Sequence, residues 1–136
     1  MSYFRISDEQ VAAFNRDGFL IVEGLMDPEE TELLLATARG DRERLDASIH
    51  LKDAGGRLSK LSMWNHPQDD IFGMVARCER VVGTMERLLD GEVYHYHSKT
   101  ILKEPRVGGA WEWHQDYGYW YLNGCLFPYM ASCLIA

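Results

Sequence analysis

Tyr94-His95-Tyr96-His97-Ser98-Lys99-Thr100-Ile101-Leu102, then Lys103-Glu104-Pro105-Arg106-Val107-Gly108-Gly109-Ala110-Trp111-Glu112, then Trp113-His114-Gln115-Asp116-Tyr117-Gly118-Tyr119-Trp120-Tyr121, reads as a strand, a turn-rich loop and a second strand. Aromatic and β-branched residues dominate the two flanks, whereas Pro105 and the Gly108-Gly109 pair break the pattern between them. On an extended segment residues i and i+2 share a face, so His114 and Asp116 converge on one point. A neutral nitrogen and a hard oxygen donor on one face make two of the three protein ligands of the facial triad that holds non-haem Fe(II) with positions left open. The same pair, taken bare, also reads as a hydrogen-bonded surface couple.

The context around the pair sharpens its reading. Tyr117, Tyr119, Trp120 and Tyr121 form the densest aromatic cluster in the chain. Such residues are ordinary core material, and directly behind a metal pair they also wall a substrate cavity and exclude water, with Tyr117 and Trp120 as the candidate substrate contacts. His95 and His97 stand two apart and form an alternative donor pair, which together with His114 would make a cupin-like metal-binding module. His50 and His66 read as loop residues.

Working outward, Ser7 with Gln10 makes a capping box for a short helix through Val11 and Phe14, terminated at Asp17-Gly18. Residues 19–23 read as a strand. Asp27-Pro28-Glu29-Glu30 is a second helix start, with an N-cap, a proline at the first helical position and a carboxylate at the third. Between 46 and 67 the periodicity is broken, and Gly55-Gly56 suggests a hairpin or loop flanked by 49–51 and 58–63. Helical spacing returns over 69–77 and 79–89, where Val82, Met85, Leu88 and Leu89 recur. From 92 onward strands are expected, interrupted at 105–109 and 122–124. Helices in the first half and four or five strands in the second indicate an α+β fold.

At these residues the chain resembles the phytanoyl-CoA dioxygenase family of Fe(II)- and 2-oxoglutarate-dependent oxygenases, which also includes the ectoine hydroxylases. The likeness rests on the His114-Gln115-Asp116 triplet and on the N-terminal run from Ser7 through Arg16-Asp17-Gly18-Phe19 to Leu25. It implies a single domain over 1–136, with N-terminal helices packed on a double-stranded β-helix, or jelly roll, that is incomplete in this chain. It implies Fe(II) and 2-oxoglutarate as cofactors, His114 and Asp116 as the first two iron ligands, and hydroxylation of a small organic substrate by O2. Lys103, Lys60 and Thr100 are the implied cosubstrate contacts; the bland reading of Lys103 is a solvent-facing partner of Glu104. The family pattern also calls for a distal histidine and an arginine, and nothing after Asp116 is His, Arg or Lys. The expectation is therefore the N-terminal portion of a longer oxygenase, inactive by itself. A non-catalytic family member and the cupin-like module are the alternatives.

Composition limits the partners. A net charge of -7 and the absence of a basic stripe argue against nucleic acid. No run reaches the roughly 18 to 20 apolar residues of a membrane span, and no secretory signal is evident. Three cysteines, an odd number without C-x-x-C spacing, fit reduced thiols and a cytoplasmic location. The apolar segment 129–136 is expected to form an exposed strand edge through which the chain self-associates.

Overall fold

In the computed structural model, which describes residues 4–136, helices and a three-stranded sheet make an α+β protein. The elements run α1 (Asp8–Asp17), α2 (Pro28–Gly40), α3 (Arg42–Asp46), β1 (Ile49–Lys52), β2 (Leu58–Trp64), α4 (Ile71–Arg77), α5 (Glu79–Leu89), β3 (Ser98–Leu102) and α6 (Asp116–Leu122). They fall into two compact units. One holds residues 4–41, 64–98 and 131–136; the other holds 42–63 and 99–130.

The first unit is helical, and its sequence signals act as read. Ser7 Oγ accepts from the Gln10 amide while Gln10 Oε1 accepts from that of Ser7, closing the box that starts α1, and left-handed Gly18 ends it. Asp27 and Glu30 make the same reciprocal box at α2, behind Pro28. α1 packs on α5, α2 on α4, and α4 on α5. Ile6 is the buried anchor of this packing. Two arginines of α5 tie the helices together by reaching backbone as well as carboxylate. Arg80 Nη1 donates to the Leu25 carbonyl at 2.7 Å and to Glu30 Oε2 at 2.8 Å, and its Nη2 meets Glu30 Oε1. Arg87 donates to the Ile6 carbonyl at 2.5 Å and pairs with Asp8.

The second unit carries the sheet, of order β1-β2-β3. β1 and β2 form an antiparallel hairpin with Ile49 opposite Leu61, His50 opposite Lys60, Leu51 opposite Ser59 and Lys52 opposite Leu58. The Gly55-Gly56 signal marks its turn, where Gly56 donates to the Asp53 carbonyl and Asp53 to the Arg57 carbonyl.

Three expected strands are corrected. Residues 19–23 form no ladder, and Phe19 and Ile21 lie exposed, because no neighbouring strand takes their backbone groups. Residues 116–122 are helical, not extended. Without a ladder partner, a helix satisfies the backbone internally, and it brings Tyr117 and Tyr121, four apart, into edge contact at 6.2 Å. Residues 129–136 are irregular, so the self-association edge is not a strand, although Tyr129, Leu134 and Ile135 are exposed. The helix α3 falls where no helix was expected.

Glu30 serves both as cap and as ion-pair partner, and the Arg80 guanidinium first, then the Asp27 amide, hold its carboxyl at about 2. A depressed folded value stabilises the protein above the ordinary carboxylate range, and that contribution is lost as pH falls towards 2. In Arg80→Ala, carbon-detected NMR titration of Glu30 is expected to show its midpoint moving back up towards 4.5. An unmoved midpoint would mean that the cap alone depresses it.

Candidate metal centre

β3 runs into a turn at 104–107 in which the Glu104 carbonyl accepts from Val107 at 3.2 Å and Gly108 at 2.8 Å. Gly108 then passes so close to Lys103 that a Cβ there would lie 2.6 Å from the Lys103 Cβ, and one on Gly109 would lie 2.6 Å from the Arg57 carbonyl oxygen. Only glycine permits that second approach, in which Gly109 donates to the Leu58 carbonyl at 3.2 Å while buried Ser59 reaches the Gly109 carbonyl at 3.4 Å. The loop thus leaves the start of β2 and runs out to Trp113, which is fully exposed.

His114 and Asp116 follow. Although Asp116 opens a helix instead of continuing a strand, the two side chains meet, with His114 Nε2 2.9 Å from Asp116 Oδ1. His114 Nδ1 stands 2.6 Å from the Glu112 carbonyl, which can only accept, so Nδ1 carries the proton of the neutral ring. The Nε2 lone pair then faces Asp116, and the Trp111 indole N–H donates to it at 3.3 Å. Trp111 packs edge-on against the imidazole at 5.9 Å and takes the Lys99 ammonium over its ring at 5.3 Å.

This donor set fits a transition metal as far as it goes. Cis donors each about 2.1 Å from one ion lie about 3.0 Å apart, close to the observed separation. A backbone carbonyl on the far ring nitrogen is the usual way of fixing a ligating imidazole. Among the described residues, no three His, Cys, Asp or Glu side chains gather within reach of one ion. His95 lies in the other unit, where its Nε2 meets Ser98 Oγ at 2.8 Å; His97 belongs to that unit too.

A cleft of about 320 Å³ opens beside His114, lined by Leu51, Lys52, Ser59, Ala110, Trp111 and Glu112. Lys60, Lys103 and Thr100 are not among its walls. Lys60 shares the face of β2 opposite Ser59, and Thr100 the face of β3 opposite Lys99. Lys103 is exposed beside the glycine turn. Half-buried Tyr117 and Trp120 lie on α6 outside the cleft, Trp120 in edge contact with Tyr119 at 4.9 Å. The sequence reading passed over Lys52 and Ser59. Ser59 was legible as the residue opposite Leu51 once a hairpin centred on Gly55-Gly56 is drawn.

The Glu112 carbonyl, and after it the Asp116 carboxylate, raise His114 above the ordinary imidazole value, against opposition from desolvation and Lys99. A raised folded value means that the imidazolium contributes stability below the ordinary value, lost as pH rises through the raised one. Asp116→Asn is expected to lower the His114 midpoint in a proton NMR titration, since the carboxylate that favours the imidazolium is gone. A midpoint that does not move would show that the pair is not formed in solution.

A family model described as Phytanoyl-CoA dioxygenase matches residues 14–136. Among curated proteins, the chain is 28% identical over 108 residues to an L-proline trans-4-hydroxylase from Streptomyces griseoviridis, covering 79% of this chain and 40% of that protein. It is 29% identical over 123 residues to an ectoine dioxygenase from Bordetella parapertussis, covering 87% and 39%. It is 28% identical over 121 residues to one from Halomonas elongata, covering 85% and 36%. The chain therefore spans about two fifths of the length of the relatives it matches. A match that runs from the first helix across the sheet and through the His114–Asp116 pair establishes that this chain belongs to the phytanoyl-CoA dioxygenase family.

Proposed function

We propose that the chain is the N-terminal part of a single-domain Fe(II)- and 2-oxoglutarate-dependent dioxygenase that hydroxylates a small organic substrate with O2. The observation that carries this reading is the His114 geometry, with Nδ1 2.6 Å from the Glu112 carbonyl and Nε2 2.9 Å from Asp116 Oδ1, which implies an Nε2 lone pair turned towards the carboxylate. That is the state in which an imidazole and a carboxylate bind one metal together. When bound, iron and the cosubstrate would supply O2 activation coupled to decarboxylation of 2-oxoglutarate.

The chain's own residues hold and shape. His114 and Asp116 supply two ligands. Trp111 shields the imidazole on one side, and Lys52 offers the cleft a cation suited to a carboxylate. Tyr117 and Trp120 are proposed as substrate-cavity walls, and Lys60, Lys103 and Thr100 as cosubstrate contacts. The third iron ligand and the arginine for the far carboxylate are assigned to the portion of the family fold beyond the two fifths spanned here, as is completion of the jelly roll. By themselves the 136 residues would then bind metal weakly and not turn over.

A small-molecule substrate is favoured by the cleft's size, at the lower end of ordinary ligand pockets. The relatives' names point the same way, to ectoine and L-proline. No helix among the described residues is long and apolar enough to cross a membrane. A cytoplasmic setting is the proposed one, and exposed Tyr129, Leu134 and Ile135 are proposed to drive self-association.

Anaerobic Fe(II) calorimetry with 2-oxoglutarate present tests the metal assignment. Asp116→Ala is expected to weaken binding by more than the roughly 10- to 100-fold that loss of an outer-shell partner costs. Equal affinity in the variant would sink the assignment. Succinate release by these residues alone would instead show a complete site and overturn the two-ligand reading. Light scattering across a concentration series checks self-association: a monomer at all concentrations contradicts it.

A further inference from the structure

The loop that delivers the proposed metal pair is held by a carboxylate of the β1–β2 turn. Asp53 sits at the start of the β1–β2 turn. Its Oδ1 accepts from the Arg57 amide at 2.8 Å, and its Oδ2 accepts from the Ala110 amide at 2.9 Å. One side chain therefore bridges two segments 57 residues apart in sequence. The next residue reinforces the bridge, since the Ala54 amide donates to Glu112 Oε1 at 3.3 Å. The Gly109 amide to the Leu58 carbonyl is the third tie. All three fall on residues 109–112, immediately before His114, and Glu112 is also the residue whose carbonyl orients the imidazole. The Arg57 and Ala110 amides, together with that of Gly55, hold the Asp53 carboxyl below its ordinary value, Ala110 most strongly.

We infer that Asp53 is a positioning residue for the metal pair: its carboxylate clamps Ala110, and through Ala110 fixes the Glu112 carbonyl that sets the orientation of His114. The inference rests on the proposed metal site for its functional meaning, and on hydrogen-bond geometry alone for the clamp. The carboxylate is needed because it accepts on both oxygens. An asparagine has one accepting oxygen and one amide that only donates, so it must turn a donor towards one of the two N–H groups; the Arg57 contact closes a turn of four residues and the Ala110 contact spans 57, so the Ala110 contact is the one given up. Asp53→Asn therefore releases the loop with little change in side-chain size.

Asp53→Asn is tested by NMR hydrogen exchange, by the Trp111–His114 ring Overhauser contact, and by Co(II) calorimetry. Exchange at Ala110 is expected to rise by about tenfold, the effect of losing one charge-assisted hydrogen bond. The ring contact is expected to vanish, and Co(II) affinity to fall by about tenfold, as for outer-shell partners of metal ligands. Protection of the β1–β2 ladder amides stays as in the parent chain, which separates a freed loop from an unfolded sheet. Should Asp53→Asn lose that protection too, the charge-preserving Asp53→Glu, whose longer arm misplaces the second oxygen, provides the same comparison in a folded sheet. Unchanged Ala110 exchange and an intact ring contact would overturn the inference, as would a freed loop with unaltered Co(II) affinity. A parent chain that binds no Co(II) would overturn the proposed function instead, and exchange and the ring contact would still decide whether Asp53 holds the loop.

Discussion

The approach of Gly109 to the β1–β2 hairpin is the contact on which the second unit depends. Residues 109–115 belong to no ladder, so their backbone groups need partners from elsewhere. Leu58, Ser59 and Asp53 supply them, Ala54 adds a bond to the Glu112 side chain, and the loop lies against the turn at a distance that leaves no room for a Cβ at position 109. A side chain there would have to displace the Arg57 carbonyl, a backbone atom fixed by its own bond to Asp53. The loop is irregular in shape and still determined in position.

From that docking the chemistry of His114 follows in sequence. The loop places the Glu112 carbonyl under Nδ1, the carbonyl selects the tautomer, and the tautomer leaves the lone pair on Nε2, beside Trp111 and Asp116. Trp111, three residues earlier, then covers the ring edge-on and recruits Lys99 over its own face. Proton and metal compete for one lone pair, and Asp116 attracts both. The same carboxylate that raises the affinity of the ring for a proton is the proposed second donor for an ion.

The two units divide by the kind of interaction that shapes them. In the helical unit, order comes from ends and crossings: two capping boxes, and two α5 arginines that each satisfy a backbone carbonyl near a helix start. In the sheet unit, order comes from a hairpin and the loop returned onto it. The large apolar side chains left exposed in α6 and beyond, Leu122, Leu126 and Phe127 among them, show that little of the apolar surface around α6 is covered in this chain.

The helices α1 and α2, the hairpin and the helical spacing of α5 were legible because each is specified by residues within a few positions of one another: Ser7 with Gln10, Asp27 with Pro28 and Glu30, Gly55 with Gly56. The His114–Asp116 pairing was legible for the same reason, since two residues two apart are brought together by the extended approach to α6. Strand character was misjudged at 19–23 and 116–122, because a strand exists only where another segment pairs with it and a local preference of aromatic or β-branched residues cannot supply that segment. The sequence by itself thus determined the caps, the hairpin, the family and the meeting of His114 with Asp116. The tertiary structure alone decided that Asp53 would meet Ala110 and that Lys52, not Lys60, would stand in the cleft, because both depend on a docking between the hairpin turn and residues 109–112, more than fifty positions away in sequence.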